Sequence, residues 1–363
     1  MQGLYIHIPF CVSKCAYCDF ASFANIKRLR LPYLKALKRE IILQKKHYKN
    51  FTPKTLYIGG GTPSFLTNTQ IKFLFTSIYG CYKNFKEITF EANPESLTLS
   101  KIKLLKKLGV NRLSLGLQST FDKHLKTLGR AHNFETFLRA YIQAKKYFDN
   151  INVDLIAGLP NQTLKDFEQS VKQLISLKPQ HISIYGLQVE EGTPLYKSGY
   201  ECDDNLTRKM LESAENILCG SGFVHYEISN FSLPKYESKH NINYWLNGDY
   251  LGCGSAAASY INGVRFQNTS DAKEYIKSLE QGKIPTVFEE NLQGKAKVGE
   301  GILLKFRMLK GFKPTQKMLN YFSKEFKTLL DKKLIVKNGK FLKLSEEGKY
   351  FANAVFRYFV EPF

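Results

Sequence analysis

The chain has 363 residues, 43% of them hydrophobic, which is enough to bury a sizeable core as one large domain or as one large and one small domain. No apolar run approaches the roughly 18 residues of a membrane-spanning helix, and the start, MQGLYIHIPF, lacks the basic segment and small-residue cleavage site of a secretory signal, so a cytoplasmic location is expected. Lys plus Arg total 53 against 32 Asp plus Glu, a net charge of +21, with the lysines scattered along the chain rather than massed in one block; that pattern fits general lysine richness first, with anionic small ligands and nucleic acid as the other readings.

Six strand-like runs appear in order, each but the first preceded by a helical pattern. They are LYIHI at 4–8, TLYIGG at 55–60, EITFEANP at 87–94, RLSLGLQS at 112–119, INVDLIAGLP at 151–160 and HISIYGLQ at 181–188, with helices at about 30–48, 69–81, 98–108, 134–147 and 163–177. The runs read as continuously apolar, as expected for parallel strands covered on both faces. Serial βα units predict an α/β fold with a parallel sheet, open or closed into a barrel. Polar and glycine residues gather where each strand ends, at Gly59 to Thr62, Glu91, Asn93, Gln118, Asp154 and Gln188. In (β/α) barrels those ends and the loops after them build the site.

After residue 200 the rhythm changes. A helix at 204–220 precedes a strand-like HYEISNFS at 225–232, then a loop-like stretch rich in Gly, Asn and Ser that carries the lone Trp245. A break falls around IPTVFEENLQ. The segment LIVKNGKFLKLSEEGKYFANAVFRYF predicts two short strands about an Asn-Gly turn and then a helix, a wing-like α+β module. Such modules bind nucleic acid or serve as packing domains, and packing is the expectation here. The expected domains are 1–230 for the barrel, 231–285 for an extension and 286–363 for the C-terminal module.

Seven cysteines are an odd count, which argues against a disulfide framework. Three of them, Cys11, Cys15 and Cys18, follow the first strand with the spacing C-x3-C-x2-C. Thiolates suit zinc or iron–sulfur clusters. A structural zinc site and a ferredoxin cluster would each want a fourth ligand nearby, yet the next Cys or His after Cys18 is His47. Three thiolates in a tight loop predict a [4Fe–4S] cubane with one iron left open.

This cysteine loop, with Gly59-Gly60-Gly61-Thr62-Pro63 after the second strand, resembles the radical S-adenosylmethionine superfamily. The resemblance implies a partial (β/α)6 barrel, with S-adenosylmethionine chelated on the open iron. LYIHIPFC, GGTP, Glu91 in FEANP, Gln118 in SLGLQS, Arg130 in LGRAH and Asp154 in VDLIAGLP are similar, more narrowly, to the oxygen-independent coproporphyrinogen III oxidase group. By that resemblance Tyr5, Tyr17, Gly60, Gly61, Thr62, Glu91, Gln118, Arg130 and Asp154 would line the S-adenosylmethionine site.

The group has two branches. The oxidases carry a further cysteine two positions past the third, where this chain has Phe20, and an extension before the first strand, which here begins at Leu4. Both departures speak against oxidative decarboxylation of coproporphyrinogen III, which stays the alternative. They match the HemW-type heme chaperones, which implies heme delivery to acceptors such as membrane-associated respiratory enzymes, with a cluster-dependent homodimer in keeping. That branch carries an H-N-x-x-Y-W motif linked to heme, present here as His240, Asn241, Tyr244 and Trp245. Read alone, a His beside a Trp is an ordinary hydrogen-bonded loop residue. The resemblance makes it a heme motif, with His a common axial ligand.

Overall fold

A computed structural model describes residues 1–24 and 26–360. Six parallel strands form its centre: β1 (Gly3–Ile8), β2 (Thr55–Gly60), β3 (Glu87–Ala92), β4 (Arg112–Gln118), β5 (Ile151–Ala157) and β6 (His181–Gly186). They pair in that order and all parallel. The crossing helices are α1 (Arg30–His47), α2 (Asn68–Tyr79), α3 (Leu99–Lys107), α4 (Phe134–Lys145) and α5 (Leu164–Ser176). Thr67 opens α2 and Thr163 opens α5 with reciprocal capping boxes, using Gln70 and Asp166.

The strands are not apolar on both faces. Leu4, Ile6 and Ile8, Leu56 and Ile58, Leu113, Leu115 and Leu117 face the helices in the main apolar core. The alternate positions are polar or small: Tyr5 and His7, Thr55 and Tyr57, Glu87, Thr89 and Glu91, Arg112 and Ser114, Asn152 and Asp154. Side chains alternate faces along a strand, so this second set lines the inside of the curved sheet. The expectation of two apolar faces is corrected here, because the inner face serves the site rather than the core.

The barrel does not close. Beyond β6 the sheet runs through a hairpin of β7 (Val224–Glu227) and β8 (Asn230–Ser232), preceded by α6 (Asp204–Gly220). The hairpin replaces the single strand expected at 225–232. The far side of β1 pairs in parallel with β9 (Tyr250–Cys253), which continues antiparallel through β10 (Ala258–Ile261), β11 (Val264–Asn268) and β12 (Thr286–Asn291). The stretch read as loop therefore holds α7 (Lys239–Trp245), β9 and β10, and the expected break near 284–293 contains the edge strand β12. Their Gly, Asn and Ser content hid them: the β9–β12 register comes from non-local pairing, not from apolar alternation. α8 (Ala272–Glu280) packs on α1.

A second core lies further along the chain. Ile302 and Phe306 of α9 (Gly294–Phe306) meet Phe322, Phe326 and Leu329 of α10 (Gln316–Asp331) and Phe359. A hairpin of β13 (Ile335–Asn338) and β14 (Phe341–Leu344) covers it. The turn is Gly339-Lys340, one residue later than expected, with Gly339 at φ +58°. The expected single helix after it is two short ones, Glu346–Tyr350 and Ala352–Phe356. Charged pairs join this core to the first: Lys349 to Glu215 at 2.6 Å and Arg208 to Glu347 at 2.5 Å. No helix among the described residues is long and apolar enough to cross a membrane.

Candidate functional site

The cysteine loop leaves the C-terminal end of β1 and is pinned at both ends. Phe10–Cys11 pairs in parallel with Phe23–Ala24, and the Phe23 amide donates to the Pro9 carbonyl at 2.7 Å. In between, the Ala16 amide donates to Leu128 O at 2.9 Å. His7 Nε2 lies 2.9 Å from Ala21 O. Cys11, Cys15 and Cys18 are all free and half-buried. Burial pushes the Cys11 and Cys18 thiols up. Donors aim at all three sulfurs: Thr62 Oγ1 at Cys11 Sγ and Arg130 Nη1 at Cys15 Sγ, each at 3.5 Å, and the Phe20 backbone N–H at Cys18 Sγ. Such donors favour the thiolate form.

Among the described residues no three His, Cys, Asp or Glu side chains converge as ligands of one metal ion would. Three soft donors spread over one loop suit the corners of a polynuclear cluster instead. Gly61 fits tightly against them: a Cβ there would stand 2.9 Å from Cys11 Sγ and 3.0 Å from the Phe10 backbone. Phe20 is 62% exposed beside the loop, and its side chain carries no metal-ligating atom.

The other strand ends gather beside this loop. Gly60 takes φ +111°, which favours glycine. Its amide donates to Glu91 Oε2 at 3.2 Å, and Tyr57 donates to Glu91 Oε1 at 2.6 Å. Burial, then the neighbouring Asp154, pushes the Glu91 carboxyl up to about 7. Asp154 is raised as well, by burial, although Asn152 Nδ2 donates to it at 2.8 Å. Asn93 joins two further members: its Nδ2 donates to Thr62 Oγ1 at 3.0 Å and its Oδ1 accepts from Arg130 Nη2 at 2.9 Å. Arg130 Nη2 also donates to Gly116 O at 2.9 Å. The β4–β5 register shifts between Gly116 and Gln118, and Gln118 sits at φ +75°. A bulge with a left-handed residue is how a strand re-aims a side chain at a site.

Tyr5 is raised well above its ordinary value, first by burial and then by Glu91, and its hydroxyl meets His7 Nδ1 at 2.9 Å. Tyr17 lies on the loop against a small apolar cluster that includes Leu128 and Ile156. Gly60, Gly61, Thr62, Gln118 and Arg130 thus lie at the C-terminal end of the sheet with Tyr17 on the adjoining loop and Glu91 bonded to Gly60, whereas Tyr5 and Asp154 sit mid-strand on the inner face. Asn93, expected at a strand end, belongs to the same network, and so do Tyr57, His7 and Asn152, which the sequence did not single out. Tyr5, His7 and Tyr57 carried a readable signal: polar side chains at alternate positions of a strand facing glycine-rich ends.

The H-N-x-x-Y-W motif lies at the other end. It forms α7, whose first amides, those of Lys239 and His240, each donate to the Glu87 carboxylate at 2.9 Å. A carboxylate at a helix N-terminus is favourable. His240 Nδ1 meets Thr55 Oγ1 and Nε2 meets the Tyr244 hydroxyl, both at 2.8 Å. Gly3, Thr55 and Glu87 begin β1, β2 and β3, so α7 closes the bottom of the partial barrel. His240 is 1% exposed, and burial lowers its pKa to about 3. In this conformation neither ring nitrogen is free for iron. Asn241 and Tyr244 are half-buried, and Trp245 lies under the Arg307 guanidinium at 4.1 Å.

A model of the Radical SAM superfamily matches residues 5–174. The chain is 35% identical to the heme chaperone HemW of Bacillus subtilis (strain 168), over 99% of both chains. It is 33% identical to that of Lactococcus lactis, over 99% of this chain and 97% of the relative. Among solved structures, coproporphyrinogen III oxidase (HemN) from Escherichia coli, a radical SAM enzyme, superposes with a TM-score of 0.88 at 21% identity, over 99% of this chain and 89% of that one. That last likeness is one of fold. With the cysteine loop, the glycine segment and a full-length match to its members, the chain belongs to the HemW family of the radical SAM superfamily.

Proposed function

We propose that this protein is a heme chaperone that holds heme together with a [4Fe–4S] cluster and S-adenosylmethionine and passes the heme to acceptor proteins. The observation that carries the reading is the 35% identity to a heme chaperone over 99% of both chains. Phe20, where an oxidase has a further cysteine, supports it from within the chain.

Cys11, Cys15 and Cys18 would hold the cluster, with Gly61 keeping the backbone close. When bound, the cluster supplies an open iron for the methionine end of S-adenosylmethionine and a reductant for its sulfonium. The chain's own part is placement. Gly60 and Gly61 admit a ligand against the backbone. Glu91 and Asp154 accept hydrogen bonds from hydroxyl or amino groups. Arg130 offers its guanidinium to a carboxylate. Thr62, Gln118, Tyr5 and Tyr17 complete the lining. In the heme motif His240 acts as a positioning residue, holding α7 to Thr55, while Asn241, Tyr244 and Trp245 are the half-buried groups offered to heme. Acceptors at a membrane, a cluster-dependent homodimer and a cytoplasmic location complete the proposal.

The test is anaerobic reconstitution with iron and sulfide, then heme titration and a coproporphyrinogen III assay on the same sample. The expected outcome is a heme absorbance band at stoichiometric loading and no decarboxylated product. Protoporphyrinogen IX formed at useful turnover would replace this reading with the oxidase.

A further inference from the structure

The C-terminal core carries a groove that the cluster, the S-adenosylmethionine residues and the heme motif leave unused. It lies between α10 and the β13–β14 hairpin and has a volume of about 440 Å³, within the ~300–1,000 Å³ of ordinary ligand sites. Its floor is apolar, with Phe326, Leu330 and Leu342, and two exposed apolar side chains flank it, Leu319 at 39% and Phe341 at 46%. The rim is basic. Lys327, Lys337 and Lys340 line it, all exposed, and among the described residues none of the three has an ion pair or a hydrogen bond. Asp331 is the one acid in the lining.

The surroundings share that sign. Residues 294–363 hold 16 Lys and Arg against 6 Asp and Glu, a net +10 of the chain's +21 in about a fifth of its length. An apolar floor inside a ring of free ammonium groups complements one kind of surface: an apolar side chain with carboxylates on either side.

We infer that this groove docks a peptide segment of another protein in which acidic residues flank a bulky apolar anchor. The anchor fills the floor between Leu330 and Phe341, and the carboxylates meet Lys327, Lys337 and Lys340. Two other anionic partners fit less well. A lipid bilayer is flat and cannot reach the floor of a concave groove. Nucleic acid presents phosphates that need no apolar floor, and 14 of the 16 basic residues are lysines, which lack the bidentate fork used to read bases. The inference rests on the groove alone and not on the heme reading.

The test uses the full chain and a fluorescein-labelled peptide with Leu-Phe between pairs of glutamates, followed by fluorescence anisotropy. A control peptide replaces Leu-Phe by Ser-Ser. The expected result is saturable binding that weakens at least about tenfold in a Lys327→Glu/Lys337→Glu/Lys340→Glu variant and about fivefold in Phe341→Ala. The control peptide should bind several-fold more weakly than its parent. Circular dichroism and melting of both variants should match the parent, because all four positions are exposed. Equal binding of the two peptides, or unchanged affinity in the charge-reversed variant, overturns the proposal. So does preferential binding of phosphatidylglycerol vesicles or of an RNA duplex to the same lysines, as does no binding at all. Heme titration of the same variants separates the two readings, since the groove lies outside the heme motif and its variants should load heme normally.

Discussion

The rings of Tyr57 and His240 stand 5.2 Å apart inside the partial barrel. The same Tyr57 donates to Glu91 at 2.6 Å, so one side chain spans the lumen from the H-N-x-x-Y-W motif to the residues proposed for S-adenosylmethionine. Its hydrogen bond lowers the Glu91 carboxyl against the burial that raises it to about 7. Glu91 accepts ligand hydrogen bonds best as the carboxylate. S-adenosylmethionine affinity should therefore rise as pH passes through about 7, and a Tyr57→Phe variant should move that rise to higher pH. Equilibrium dialysis across pH 6 to 9 checks both. A pH-independent affinity in the parent would remove Glu91 from the binding set.

Glu40 on α1 gives a stability prediction. It is fully buried and accepts from Tyr275 at 2.5 Å, Asn268 at 2.6 Å and the Gly254 amide at 2.7 Å, yet burial still raises it to about 7. A carboxyl raised on folding contributes stability that is complete below its ordinary value of 4.5 and is lost as pH climbs through the folded value. The chain should thus unfold more easily at pH 8 than at pH 5, by about 1–3 kcal/mol from this group. Glu40→Gln should flatten that slope in urea titrations at the two pH values.

His240→Ala should cost about 2–4 kcal/mol, because it leaves a cavity and strands the Thr55 and Tyr244 hydroxyls. The melting temperature reads this directly. Heme bound to the variant should keep the parent's absorbance spectrum at weaker affinity, as fits a positioning residue. A changed axial-ligand spectrum with unchanged melting would identify His240 as an iron ligand.

Cys18→Ala should abolish the cluster. After anaerobic reconstitution, iron and acid-labile sulfide should fall to background with the visible iron–sulfur absorbance lost. Heme titration of that sample then reports whether heme loading depends on the cluster. A full complement of iron in the variant would disprove the ligand assignment.

The βα order was legible because each strand carries a local signal of aliphatic residues ended by glycine or polar residues. So was the cysteine loop, whose three donors lie within eight positions. The inner face was misread, since a strand that alternates Leu4, Tyr5, Ile6 and His7 still looks apolar when tyrosines are counted as such. The strands β9 to β12 were also missed. Their pairing joins β9 to β1 across more than two hundred residues, and no local pattern announces so distant a partner.

The sequence by itself determined the chemistry on offer: three thiolates without a fourth, a glycine segment after the second strand, Phe20 beyond the loop and the order of the strands. These are local or compositional features, and spacing preserves them. Only the tertiary structure decided how they share space. It placed the cysteine loop, Thr62, Asn93 and Arg130 in one hydrogen-bonded group at the C-terminal strand ends. It sent His240 to the opposite end, where Thr55, Glu87 and Tyr244 satisfy it. The reason is that a buried polar group must find its partners wherever the fold brings donors and acceptors together, and for His240 those partners come from β2, β3 and the next turn of its own helix.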